Sequence, residues 1–346
     1  MNIVDLLSQT LQRQASDLHL AAGLPPLLRV HGDLGRCGES ALDAQGVMAL
    51  LGPLMTPQQL HTFERQRELD FAHDQPGLSR FRVNVFQQRR GPAAAIRVVP
   101  AQIPSLESLQ APAVLGELAM LPRGLLLFTG PTGSGKSTSM AALVDHRNRH
   151  HAGHILTIED PIEFVHESRC SLVNQREVGT HTLGFATALR SALREDPDVI
   201  LVGELRDLDT IRLALTAAET GHLVLATLHA SSAAQSVDRL IDVFPAGEKD
   251  MVRLMLSESL QGVVSQTLCK TADGRGRVAA LEVMRGTPAI RHLIREHKVA
   301  QMVSVMQSGL SQGMQTLDQH LSLLVRGGRI SPDEARRHAR HPEFLR

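Results

Sequence analysis

Tryptophan and tyrosine are absent from these 346 residues and phenylalanine occurs nine times. The aromatic platforms on which single-stranded nucleic acids stack are therefore missing. Neither sign of charge is in excess: Lys plus Arg number 36 and Asp plus Glu number 36, so no basic field recruits a polyanion, and nucleic acid is not expected as a partner. Cysteine is scarce. Cys37, Cys170 and Cys269 stand far apart with no C-x-x-C pair, and they read as reduced, mostly buried thiols of a cytoplasmic protein. No apolar run approaches the ~20 residues that cross a bilayer, and Met1-Asn2-Ile3-Val4-Asp5 lacks the basic start of a signal peptide. A soluble protein without direct membrane insertion is expected, any membrane association coming through a partner. The length suggests two domains.

What is present is Gly130-Pro131-Thr132-Gly133-Ser134-Gly135-Lys136-Ser137, followed by Thr138, which fills every fixed position of G-x-x-x-x-G-K-[ST]. Leu125-Leu126-Leu127-Phe128-Thr129 before it reads as a buried strand, and Ser139-Met140-Ala141-Ala142-Leu143-Val144 after it as the first turns of a helix. Glycines let backbone N–H groups approach phosphate oxygens with no Cβ in the way. The helix N-terminus adds its partial positive charge. Lys136 is expected to reach the β- and γ-phosphates, and the Ser137 hydroxyl to ligate Mg²⁺. A chance glycine-rich turn would not arrive with strand and helix both in place. The chain is expected to bind a nucleoside triphosphate.

Taken in order, the first hundred residues alternate short helices and strands and predict a small α+β domain. Thr56-Pro57 reads as an N-cap with Pro at the first helical position, and His31-Gly32-Asp33 as a hairpin turn. In 79–86, Phe81, Val83 and Val85 face one way while Arg80, Arg82 and Asn84 face the other; Arg97 sits in the next strand. These arginines are either a solvated sheet face or groups aimed at a phosphate, in this subunit or a neighbour. Residues 101–113, preceded by Pro100, read as a linker. Strands and helices alternating from 114 to 346 predict a RecA-like α/β domain. After Pro245 the pattern predicts helices at 248–264, 288–296, 299–306 and 314–325, and a last helix opened by Ser331-Pro332-Asp333-Glu334.

A phosphate cradle needs a carboxylate at the end of a second strand, to hold the metal and order water. Glu204 follows the apolar run Val199-Ile200-Leu201-Val202; Glu163 follows 154–158, beside Glu159 and Asp160. Either could be a surface acid or a helix cap, but two of them, on strands expected to flank the glycine loop, favour chemistry. His222 and His229 bracket 223–227. They are either hydrogen-bonded histidines or, for His229, a sensor donating to the γ-phosphate. His150-His151-Ala152-Gly153-His154 reads as a solvated loop.

Together these stretches resemble the secretion ATPases, and among them the PilT-type pilus retraction ATPases. Ile155-Leu156-Thr157-Ile158-Glu159-Asp160-Pro161-Ile162-Glu163-Phe164 is similar to the family's Asp box. Leu193–Asp198 running into Val202–Asp207 is similar to its Walker B region, and Thr220–Leu223 with Thr227–His229 to its His box. Ala289-Ile290-Arg291-His292-Leu293-Ile294-Arg295-Glu296 resembles the retraction helix, with His292 where Asn is usual; Ala230 replaces a usual Thr, and Gly179-Thr180-His181 also departs from the family. The resemblance implies a PAS-like N-terminal domain, a RecA-like ATPase domain and a homohexameric ring. It implies Glu163 as the base that polarises water, Glu204 as the Walker B carboxylate on the Mg²⁺ side, and His229 near the γ-phosphate. Arg82 and Arg97, with Arg80 less closely, match arginines delivered to the nucleotide. The implied work is ATP-driven pilus retraction and twitching motility, at the cytoplasmic side of the inner membrane through a pilus platform protein. The alternatives are an accessory retraction paralogue and a pilus assembly or type II secretion ATPase. The latter usually adds an N-terminal domain and a tetra-cysteine zinc module.

Overall fold

The computed structural model describes residues 2–30, 32–99 and 102–344. It divides into two compact units, Met1–Gln102 with Pro161–Val165, and Ile103–Asp160 with His166–Arg346. His31 of the expected hairpin, and Pro100 and Ala101 at the start of the expected linker, lie outside the described residues.

The first unit is an α+β body. Strands β1 (Asp17–Ala21), β2 (Leu27–Val30), β3 (Asp33–Arg36), β4 (Glu68–Gln75), β5 (Ser79–Gln88) and β6 (Gly91–Val99) form one sheet in the order β3-β2-β1-β6-β5-β4. Every neighbouring pair is antiparallel. Alternation decides the two faces. Phe81, Val83, Val85 and Ile96 are fully buried and cluster with Leu6 and Leu7 of helix Ile3–Gln12 and with Val47 and Leu51 of helix Ala44–Leu51. Thr56 caps helix Pro57–Gln66 in a capping box with Gln59, with Pro57 in the first turn, as the sequence predicts.

The second unit is RecA-like. Strands β7 (Gly124–Thr129), β8 (His154–Glu159), β9 (Leu172–Glu177), β10 (Val199–Val202), β11 (Leu223–Leu228), β12 (Leu260–Lys270) and β13 (Arg277–Arg285) lie in the order β13-β12-β7-β11-β10-β8-β9. All neighbours are parallel except the antiparallel pair β12–β13. Helices cover both faces, so the central strands read as unbroken apolar runs. Leu125 and Leu127 of β7 pack into one core with helix Leu208–Glu219, and Leu126 and Phe128 pack into the other with helix Lys136–His150. Leu106, in the expected linker, is buried in that second core beside Val114 and Leu115.

One expected helix is corrected. Residues 248–264 do not continue as a helix: it stops at Ser259, and Leu260 begins β12. Leu260, Val263 and Val264 are buried between two ladders, parallel to β7 and antiparallel to β13. Pairing on both sides overrides the local helical spacing. The same reading overlooked β13, and β9 at the opposite edge.

A buried histidine gives this unit a pH dependence. Nδ1 of His320, on helix Leu317–Arg326, accepts the Leu281 N–H at 2.8 Å, and burial pushes its pKa down to about 4. The unfolded chain takes up that proton near its ordinary value of 6.5, the folded chain only near 4. The stabilisation is therefore complete above pH ~6.5 and lost as pH falls toward 4, about 3 kcal/mol at most. His166, also pushed down to about 4 by burial, acts in the same direction. Thermal midpoints measured from pH 7 to 4.5 are expected to fall, and His320→Gln to make that fall shallower.

Candidate active site

The glycine loop leaves the buried end of β7 and enters helix Lys136–His150. Gly130, Gly133 and Gly135 take positive φ of 141°, 77° and 86°. A Cβ on Gly130 would sit 2.3 Å from the Gln266 carbonyl oxygen, and one on Gly135 would sit 2.8 Å from Gln266 Nε2. Backbone conformation favours glycine at both positions, and at Gly130 the backbone of β12 leaves no space for a side chain. Lys136 is 9% exposed, and its ammonium donates to the carbonyl oxygens of Gly130 (2.8 Å) and Pro131 (3.0 Å). Ser134 Oγ is buried with no hydrogen-bond partner among the described residues. A cation folded over the loop, an unmatched hydroxyl and a turn with glycine at three positions fit a phosphate chain.

Gln266, on β12, braces this loop. Its Nε2 donates to the Ser134 carbonyl, and its Oε1 accepts from Ser139 Oγ, both at 2.8 Å. Sequence reasoning missed it because 260–264 was read as the end of a helix and 265–270 was left unassigned, and a single glutamine carries no motif.

Glu204 and His229 meet at neighbouring strand ends. In the parallel register Leu228 lies opposite Thr129, and Val202 opposite Ala226. This brings the residues beyond β7, β11 and β10 to one edge, where open α/β sheets bind ligands. Glu204 Oε1 lies 3.2 Å from His229 Nε2, and Oε2 lies 2.7 Å from the Arg206 guanidinium. Burial opposes ionisation of Glu204, but Arg206, His229 and Lys136 hold its pKa below the ordinary carboxylate value. Thr129 Oγ1 donates to the Ala230 carbonyl and accepts the Ala230 N–H, each at 2.8 Å, tying the end of β7 to the residue after His229. The expectation that the glutamate strands flank the glycine loop is corrected. β11 and β12 flank β7; β10 lies beyond β11, and β8 beyond β10.

Glu163, Arg82 and Arg97 fall in the first unit, Glu163 within the segment Pro161–Val165. Arg82 and Arg97 are direct cross-strand partners, a like-charge pairing that costs stability unless anions intervene. Asp70 takes Arg82 through two hydrogen bonds (2.9 and 3.3 Å), Asp17 takes Arg97 at 2.8 Å, and Asp74 takes Arg80 at 3.0 Å. Burial pulls the Asp17 pKa up, but Ser16 and Arg97 outweigh it and hold the group below its ordinary value.

His222 bonds as its plainer reading has it, but the reading of 150–154 as a solvated loop is corrected: His150 ends helix Lys136–His150, and His154 opens β8, where cross-strand pairing holds it. His222 Nδ1 lies 3.0 Å from the Ala217 carbonyl, and His154 Nε2 lies 2.8 Å from Asn174 Oδ1. Cys269, Glu334 and His338 bring donor atoms within 4.8 Å of one another. Glu334 Oε1 is already engaged by the Lys270 N–H (2.8 Å) and His338 (3.2 Å), and burial pushes the Cys269 thiol up to about 12. Glu334 thus anchors helix Pro332–His338 to β12 through the Lys270 N–H. In helix Pro288–Arg295, Ile290 and Ile294 face the core while His292 is exposed; Arg291 donates to the Ser257 and Glu258 carbonyls at the end of helix Lys249–Ser259.

Residues 3–337 match the model of the type II/IV secretion system protein family. The chain is 59% identical over 343 residues to the type IV pilus retractation ATPase PilT of Pseudomonas aeruginosa, covering 99% of both proteins. It is 56% identical over 320 residues to a twitching motility protein of Neisseria gonorrhoeae, covering 92% of this chain and 86% of that one. Among solved structures it matches the pilus retraction motor PilT with bound ADP at a TM-score of 0.92 and 44% identity, covering 100% of this chain and 99% of that one.

Proposed function

Because the chain belongs to the type II/IV secretion system protein family, within its PilT-type branch, we propose that it is a pilus retraction motor, hydrolysing ATP to drive pilin filament disassembly and twitching motility. The observation that carries this reading is the convergence of the glycine loop, Lys136, Glu204 and His229 on one sheet edge of a RecA-like unit.

In this reading Lys136 exchanges the Gly130 and Pro131 carbonyls for β- and γ-phosphate oxygens, while backbone N–H groups of 132–138 line the phosphates. Ser137 and Glu204 would hold Mg²⁺, whose bound charge offsets that of the phosphates. Glu163 takes the proton of the attacking water, and His229, linked to Glu204, registers loss of the γ-phosphate. Arg82 and Arg97 leave Asp70 and Asp17 for the nucleotide of this subunit or a neighbour, so that two domains (1–100 and 114–346, joined by 101–113) close with ATP and part after hydrolysis. Six copies would form the ring, acting on an inner-membrane platform protein from the cytoplasmic side. Among the described residues no helix is long and apolar enough to cross a membrane.

A strain lacking this gene is expected to carry more surface pili than its parent and to lose surface motility. Bald cells would instead assign the protein to pilus assembly.

A further inference from the structure

Past His229 the chain runs through Ala230, Ser231 and Ser232 into helix Ala233–Asp242. Ala230 is fastened to Thr129 on the β7 side. On the other side the segment is held by a group from far along the chain. Arg340 Nη2 donates to the Ser231 carbonyl at 3.0 Å, and Nη1 forms an ion pair at 2.8 Å with Glu282 Oε2. Glu282 is 1% exposed, and its Oε1 accepts the Ala233 N–H at 2.7 Å. Arg340 is itself fixed: Asp318 accepts the backbone N–H of both Arg340 (2.8 Å) and His341 (3.1 Å). Arg340 also lines a cavity of about 1000 Å³, together with Gly130, Pro131 and His229.

We propose that Arg340 is a positioning residue for ATP hydrolysis, which through Glu282 and the Ser231 carbonyl fixes segment 230–233 and thereby the approach of His229 to Glu204. A buried carboxylate joined at once to a helix N-terminal N–H and to a guanidinium admits few geometries. The guanidinium fork spans carboxylate and carbonyl together, which a lysine ammonium does less well. The structure thus ties the C-terminal residues to the strand end that carries the sensor histidine. The inference rests on the ATPase reading above.

The test compares Arg340→Ala, Arg340→Lys and the double variant Glu282→Gln/Arg340→Met in full-length protein, by steady-state ATP hydrolysis and thermal unfolding. Arg340→Ala is expected to lower kcat about tenfold with the KM for ATP within about twofold, and Arg340→Lys to recover part of the loss. The double variant, which leaves no unpaired buried charge, should regain thermal stability without regaining kcat; a merely structural role would restore both. A folded Arg340→Ala protein with wild-type kcat overturns the proposal. So does a raised KM with kcat retained, which would make Arg340 a nucleotide contact. Lys136→Ala, run alongside, separates the two possible failures. If it is inactive while Arg340→Ala is wild type, only the positioning role falls; if it too turns over ATP normally, the reading of the site has failed.

Discussion

ATP turnover by Lys136→Ala is expected to be lower than wild type by at least 10²–10³-fold, the scale seen when one preorganised group facing developing charge is removed. The side chain is 9% exposed and packed against the loop it serves, so its charge acts in a poorly screened setting. Alanine also removes both hydrogen bonds to the Gly130 and Pro131 carbonyls. The loop itself should persist, because Gln266 holds it through Ser134 and Ser139. The defect should therefore appear in phosphate release and nucleotide affinity, with the unfolding midpoint nearly unchanged. Lys136→Arg is not expected to rescue, since the longer planar guanidinium must fit where a compact ammonium is buried. Turnover within tenfold of wild type in Lys136→Ala would remove the site from this loop.

Some of this site was legible in the sequence and some was not, for physical reasons. The glycine loop is a local device: strand, turn and helix start adjoin in sequence, and the positive φ at Gly130, Gly133 and Gly135 is a conformation that glycine adopts without strain. Strands buried on both faces announce themselves as apolar runs, so β7, β10 and β11 were visible. The alternation that puts Arg82 opposite Phe81 and Val83 was equally plain. Strand order is another matter. Nothing in Leu223–Leu228 says that β11 inserts between β7 and β10, and this pairing sets His229 between the glycine loop and Glu204. Leu260–Lys270 is a strand because of partners that precede and follow it in the chain, so Gln266 as brace could not be inferred from its own neighbourhood. Likewise Arg340 and Glu282 are 58 positions apart, and a pairing at that separation has no local pattern.

Glu204→Gln is expected to lower kcat by about 10²–10³-fold while nucleotide affinity changes only a few-fold. The substitution keeps shape and one acceptor oxygen, so the contact with His229 can survive; what it removes is the negative charge that Arg206, His229 and Lys136 keep on this carboxylate. Two comparisons give the result its meaning. Arg206→Ala should cost far less, because that guanidinium is 68% exposed and an exposed ion pair contributes ~0–1 kcal/mol. Glu163→Gln should also lower kcat, for a different reason: in the function proposed above it removes the base, so its effect should shrink as pH is raised and hydroxide replaces that base, whereas that of Glu204→Gln should not. If only Glu163→Gln is impaired and Glu204→Gln hydrolyses ATP at nearly the wild-type rate, then Glu204 serves to hold Arg206 and His229 in place, and the metal-side carboxylate must be sought among Glu159 and Asp160 at the end of β8.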